Sequence, residues 1–413
     1  MTTKQLPTSA THGAIVIIGL FTFLLSLLLV KFFNLFETST DRALFIILST
    51  ATGLFIFEFI FQKTHRRAST GLDFQTSNSS VQRTLIKFMG LIGSMGFIAF
   101  LYWIFPEYHG DFYNQFYALL SRALPCFIIL SIPYIYFVDR HQSDPLDSYY
   151  QVGQICLLNF EKIDWRHLKT HFLGWVIKGF FLPLMFTYLV RDIESFQRVD
   201  FSKMNSFKSY FDVLYDLIFT IDVGVVAMGY IMSFRLTDTH LRSAEPTMLG
   251  WVVALFCYQP FWSLFGKQYL DYDAQKGWAT WFPEGSTLYI IWACGILFLF
   301  SIYVWGSLNF GCRFSNLTHR GILTNGPYRW TKHPAYISKC MAWWMISVPF
   351  LISESWTESL RRSLLLLALN GIYFIRARTE EKHLSLDPVY VQYSEWIKEN
   401  GWISRLKKLM FLR

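Results

Sequence analysis

Apolar residues in this chain gather into runs of about 17–25 positions divided by polar links, long enough to cross a ~30 Å hydrocarbon core as helices. The pattern predicts ten such stretches, at residues 14–36, 43–61, 88–105, 117–138, 172–190, 211–234, 248–265, 288–306, 336–352 and 360–375. The ninth carries Lys339 in its first turn and Pro349 near its end; Lys339 is expected to snorkel to the membrane interface. The fold class expected is therefore all-α: a polytopic integral membrane protein with about ten transmembrane helices.

The links give an orientation. Cationic residues cluster after the second helix (Lys63, Arg66, Arg67, Arg83, Lys87) and after the fourth (Arg140, Lys162, Arg166, Lys169). They recur after the sixth (Arg235, Arg242) and after the eighth (Arg313, Arg320, Arg329, Lys332), while links such as 107–111 and 353–358 are acidic or neutral. The positive-inside rule then puts both termini in the cytoplasm, with Arg361 and Arg362 as the exception at the outer side. The first run, from Ala14, is too long for a signal h-region and is expected to remain as a membrane helix. Residues before about His12 are expected to be disordered. Residues 139–171 are expected to include a helix on the membrane surface, and 396–413, with Lys407, Lys408 and Arg413, a surface amphipathic anchor.

Composition agrees. The 413 residues are 53% hydrophobic, 19% aromatic and only 16% charged, which excludes an ordinary soluble enzyme. The net charge of +8 lacks a basic stripe or nucleic-acid motif, so loop charge accounts for it and no nucleic-acid partner is expected. The six cysteines show no paired spacing; neither a disulfide framework nor a metal site is expected.

The chemistry concentrates in a two-part polar signature. Its first half is Gly326-Pro327-Tyr328-Arg329-Trp330-Thr331-Lys332-His333-Pro334-Ala335-Tyr336. Its second is Arg376-Ala377-Arg378-Thr379-Glu380-Glu381-Lys382-His383-Leu384, followed by Asp387-Pro388-Val389-Tyr390 and Tyr393. The two apolar runs between them form a hairpin that returns both halves to one membrane face. Pro334 holds His333 at a helix entrance, where free N–H groups attract negative charge. Arg376 and Glu380 stand at i,i+4 and can pair, while Glu381 lies about 100° around the helix, free to face a pocket.

This arrangement, G-P-Y-R-x-x-[KR]-H-P-x-Y, a hairpin, R-x-x-x-E-E-x-x-L and a Y-x-x-Y tail, resembles the isoprenylcysteine carboxyl methyltransferase family, with the phospholipid N-methyltransferases as relatives. The likeness covers roughly the last third of the chain, and residues 311–321 are similar to bacterial members. Lys332 stands where the family has Arg, which keeps the charge but loses the bidentate fork. Ser338-Lys339 replaces the usual Gly after the Tyr. The resemblance implies S-adenosylmethionine in a cytoplasmic pocket, with Tyr328, Arg329, His333, Tyr336 and Glu381 as cofactor-binding residues and Glu380 and Arg376 as catalytic ones. It implies a lipid or prenylated acceptor entering from the bilayer, carboxyl O-methylation favoured over N-methylation, and a bacterial inner membrane or another cytoplasm-facing membrane as location. Residues 248–413 would be the methyltransferase-like module and 1–247 an N-terminal transmembrane extension.

Two other classes compete. Sterol-type, NADPH-dependent membrane reductases are similar in helix number and C-terminal pocket, but their Arg-His pattern lacks the following Pro. A transporter or scaffold is suggested by Glu58, Lys178, Asp212, Asp216 and Asp222 at membrane depth, where charges face a cavity or a partner. Lys178 pairing with one of these acids is the structural alternative. Tyr258-Gln259-Pro260 is placed to kink the seventh helix toward the same cavity.

Overall fold

A computed structural model describes residues 5–411 except 76, 162, 274–276 and 353–354. Lys162, Arg413, the first two residues of the 353–358 link and the side chain of Lys407, all used above, lie outside what is described. The described chain is a bundle of helices joined by one two-residue ladder. In order they are α1 (Ala14–Phe32), α2 (Ser39–Ile56, extended by a π turn Phe57–Phe61), α3 (Val81–Ile104) and α4 (Asn114–His141). There follow α5 (Ser148–Cys156), α6 (Trp165–Arg198), α7 (Phe207–Ile231), β1 (Ser243–Ala244) and α8 (Met248–Leu255). Short turns α9 (Lys267–Tyr269) and α10 (Trp278–Trp281) precede α11 (Thr287–Leu308), β2 (Thr318–His319), α12 (Pro334–Ser347), α13 (Trp356–Leu384), α14 (Pro388–Asn400) and α15 (Trp402–Phe411).

Six of the described helices are long and apolar enough to cross a membrane: α1, α2 with its π turn, α3, α4 with its leading turn, α6 and α11. The chain is thus an all-α integral membrane protein. Four of the ten expected spans fall outside this set: the sixth and tenth are the helices α7 and α13, and the seventh and ninth are not uninterrupted crossings. The seventh stops at Leu255, before Tyr258-Gln259-Pro260, and resumes as a separate π turn Trp262–Gly266. Proline cannot donate to the helical ladder, so the run divides there. The ninth is α12, whose 14 residues end at Val348 with φ +37°. At 1.5 Å per residue it rises only about 21 Å.

One apolar core draws Ile15, Phe23 and Leu27 of α1, Ile46 and Leu54 of α2, Phe181 and Phe186 of α6, Val225 of α7 and Val304 and Leu308 of α11. The first helices therefore pack directly on α11, across the line drawn at residue 248. Residues 7–11, expected to be disordered, instead run along the loop before α12. Ala10 N bonds Ile322 O at 2.8 Å, Thr11 Oγ1 bonds Asn309 O at 2.8 Å, and Thr324 Oγ1 bonds Pro7 O at 2.8 Å. The loop supplies the partners this segment's backbone would otherwise seek in water.

The helix expected on the membrane surface within 139–171 is α5, and it is packed on α3. A Cβ on Gly90 would lie 1.9 Å from Tyr149 O, and one on Gly153 2.0 Å from Ile86 O, so the contact requires both glycines. Two cations counted for orientation are tied in beside it: Arg83 and Lys87 reach buried Asp139 at 2.7 and 2.9 Å. Of the membrane-depth charges, Glu58 pairs with buried Arg313 and Asp212 with Lys208. Lys178 makes no ion pair among the described residues; its ammonium lies over the Trp175 ring at 5.6 Å. Asp222 accepts from Tyr303 Oη at 2.5 Å. All six cysteines are free.

Candidate active site at the foot of α12 and α13

The first half of the signature forms a tight 3₁₀ turn, Gly326–Arg329, before α12. Gly326 has φ +53°, and a Cβ there would meet the Asn309 amide at 2.7 Å, so the turn demands glycine. Pro334 takes the first position of α12, leaving His333 at its N-cap. The second half is the unbroken continuation of α13, whose 29 residues run through Arg376 to Leu384. Arg376, Glu380 and His383 fall on one face by helical spacing, with Glu381 beside them.

The hairpin brings the halves into contact. His333 Nε2 meets Glu381 Oε1 at 3.0 Å, and Lys332 Nζ meets Glu381 Oε2 at 3.0 Å. The point charge of Lys332 needs only one carboxylate oxygen and leaves the other to His333, so the lost guanidinium fork costs this contact nothing. Glu380 accepts from Tyr336 Oη and from Arg376 Nε at 3.4 Å. The His333 and Tyr336 rings stack with centroids 5.5 Å apart. Arg376, 3% exposed, lies over the rings of Tyr336, Tyr258 and Tyr373 at 5.1, 5.7 and 5.9 Å. Its Nη2 donates to Asn316 Oδ1 at 2.7 Å.

Asn316 is itself fixed from behind. Its Nδ2 donates to Tyr230 Oη at 3.0 Å and to Tyr258 Oη at 3.1 Å. The loop bearing it is pressed on α7, where a Cβ on Gly229 would lie 2.3 Å from Phe314 O. On the other flank, β1 and β2 pair Ser243 with His319. His383 Nε2 bonds Ser243 Oγ at 2.8 Å, and its Nδ1 faces Glu245 at 3.7 Å. From below, α14 closes the site: Tyr393 Oη donates to Tyr328 O at 2.6 Å.

Burial pushes the Glu381 carboxyl up, but hydrogen bonds and charge from His333 and Lys332 overcome it and hold it down at about 2. Burial lowers His383, against the pull of Glu245 and Glu380. Burial also raises the Tyr393 phenol, with Glu381 adding to the shift.

These walls enclose a cavity of about 180 Å³. Tyr328, His333, Tyr336, Arg376 and Glu380 line it, and Glu381 fixes its rim through Lys332 and His333. Arg329 is placed elsewhere: it is exposed and lines a second depression with His12, Arg67 and Asn325. Lys339 does not snorkel outward. It lines the same cavity, with its ammonium 4.9 Å from the Tyr303 ring and 5.4 Å from the Trp343 ring. Reasoning from sequence passed over Asn316, Glu245, His319 and Tyr373, and read Arg320 only as loop charge; all line the cavity. The one available signal was that Asn316, His319 and Arg320 sit inside the polar 311–321 stretch.

A cavity walled by tyrosine rings and lined by the carboxylates Glu245 and Glu380 and the guanidinium groups of Arg320 and Arg376 is built for a small zwitterionic or charged ligand. Searches of the curated proteins and of the solved structures return no significant match. Residues 288–386, about a quarter of the chain, match the model of the isoprenylcysteine carboxyl methyltransferase (ICMT) family. The match runs from α11 through both halves of the signature to the start of the tail, and thus spans most of the cavity's walls. Over residues 288–386 this integral membrane protein is similar to the isoprenylcysteine carboxyl methyltransferase family.

Proposed function

We propose that the chain is an S-adenosylmethionine-dependent methyltransferase acting on a lipid or prenylated acceptor held in the membrane, with the site open to the cytoplasm. The observation that carries the reading is the meeting of Lys332, His333 and Tyr336 with Arg376, Glu380 and Glu381 around one cavity, inside the segment that matches the family.

The donor set fits the cofactor. An ammonium and a sulfonium call for carboxylates and ring faces, a carboxylate calls for a guanidinium, and an adenine calls for rings; the cavity presents all of these. When bound, the cofactor supplies an electrophilic methyl carbon. His333, Tyr336 and Glu381 would hold it, with Tyr328 beneath. Arg329 is left out, because it faces the other depression.

The protein's own share is placement and exclusion of water. Arg376 is fixed by Asn316 and Glu380 and stacked among three tyrosines, so it meets a ligand already oriented. Preorganised charge in a buried site stabilises a reacting pair more than the same charge in water does. Tyr393, through Tyr328, holds the cover shut. Glu380 already accepts from Tyr336 and Arg376, so its oxygen is engaged within the protein. A carboxylate acceptor requires no base and asks least of this site, which supports carboxyl O-methylation over N-methylation.

The test is transfer of labelled methyl from S-adenosylmethionine to a farnesyl thioether carboxylic acid by the purified full-length protein. The reading expects a base-labile methyl ester, and loss of roughly 10²-fold or more in rate for Arg376→Met. Label in no acceptor, carboxylate or amine, with NADPH binding instead, would contradict it.

A further inference from the structure

Among the described residues of this half of the molecule, three arginines are almost wholly buried, and two are neutralised. Arg313 pairs with Glu58 and Arg376 with Glu380. Arg320, 3% exposed, pairs with no carboxylate among the described residues. Its Nη1 donates to Gly229 O at 2.6 Å, while its Nε and Nη2 are buried and without partners. Burial lowers its pKa to about 10, Tyr230 and Cys312 oppose that shift, and Arg313 adds to it; no acid takes part. At neutral pH it therefore remains a cation.

A buried charge with two unmet donors is costly unless something supplies the opposite charge. Arg320 lines the cavity described above, so that partner can arrive from it. We propose that Arg320 is an oxyanion receptor built into the cavity, and that a carboxylate or phosphate oxygen of the bound ligand accepts from its Nε and Nη2. The assignment deepens the methyltransferase reading but stands on the unpaired charge itself. Arg320 directly follows His319 of β2, and both line the cavity.

The anion has two possible sources: the amino-acid carboxylate of the methyl donor, or an acidic group on the acceptor. Full-length protein in detergent, wild type and Arg320→Gln, would be titrated with S-adenosylmethionine and decarboxylated S-adenosylmethionine. The same pair would be titrated with a farnesyl thioether carboxylic acid and its methyl ester. Loss of affinity of roughly tenfold or more for S-adenosylmethionine, and not for its decarboxylated form, assigns the donor's carboxylate to Arg320. A similar loss for the acid, and not for its ester, assigns the acceptor. Equal affinities of wild type and variant for all four ligands overturn the proposal. Should wild type bind neither form of the donor, the methyltransferase reading fails, while the acid–ester comparison still decides the role of Arg320.

Arg320→Met separates a receptor from a strut. An uncompensated charge predicts that the ligand-free melting temperature of the variant equals or exceeds that of wild type. If the bond to Gly229 O is the residue's purpose, both variants melt well below wild type, and the proposal is overturned.

Discussion

Arg376 Nη2 donates to Asn316 Oδ1 at 2.7 Å, joining the last long helix to a loop 60 residues earlier. The bond orients the guanidinium, since Asn316 is itself held by Tyr230 and Tyr258. Replacing Asn316 with Ala leaves a buried guanidinium N–H unpaired, at a cost of about 1–3 kcal/mol. The melting temperature should fall, and S-adenosylmethionine affinity should fall further than stability alone explains. Binding measured well below the variant's melting temperature separates the two effects.

Glu381 sets a pH dependence. Its carboxyl is held below its ordinary 4.5, at about 2, so its contacts with His333 and Lys332 contribute full stability above 4.5. That contribution is lost as pH falls through the folded value. The melting-temperature gap between wild type and Glu381→Gln should be widest from pH 5 upward and narrow steadily toward pH 3. A gap that widens on acidification would contradict the assignment.

Two glycine substitutions distinguish the site from its scaffold. Gly229→Ala places a Cβ 2.3 Å from Phe314 O and must shift the loop that carries Asn316 and Arg320. Gly153→Ala crowds Ile86 O at 2.0 Å, in the α3–α5 contact. Each should destabilise by about 1–3 kcal/mol. Only Gly229→Ala should also weaken cofactor binding, as read by titration on protein matched for folded fraction.

Much of this was open to reading in the chain. The 3.6-residue spacing placed Arg376 and Glu380 on one face, and they do pair; Pro334 put His333 at a helix start; and the apolar hairpin returned both halves to one place. Tyr258-Gln259-Pro260 does break the seventh run, but the cavity Tyr258 lines is the one at the foot of α12 and α13, which none of Glu58, Lys178, Asp212, Asp216 and Asp222 lines. What was hidden depended on tertiary neighbours. Nothing local to Arg329 says that the 3₁₀ turn directs it away, and nothing local to Lys339 says that Tyr303 and Trp343 draw it inward. Asn316 and Arg320 look like ordinary loop residues until α7 closes against them. The order in residues 7–11 likewise comes from a loop some 300 residues away.

The cover is testable through one hydroxyl. Tyr393→Phe removes the 2.6 Å bond to Tyr328 O, worth about 1 kcal/mol. Dissociation of bound S-adenosylmethionine should quicken by roughly fivefold with little change in association. Stopped-flow or filter-binding chase measures it.

The central claim is that His333 and Glu381 shape a methyl-donor pocket, and equilibrium binding of labelled S-adenosylmethionine to the purified full-length protein tests it most directly. Saturable binding by wild type, lost in both His333→Ala and Glu381→Ala while each variant remains folded, is the predicted result. Absence of binding by folded wild-type protein, or binding that both variants retain undiminished, would contradict it.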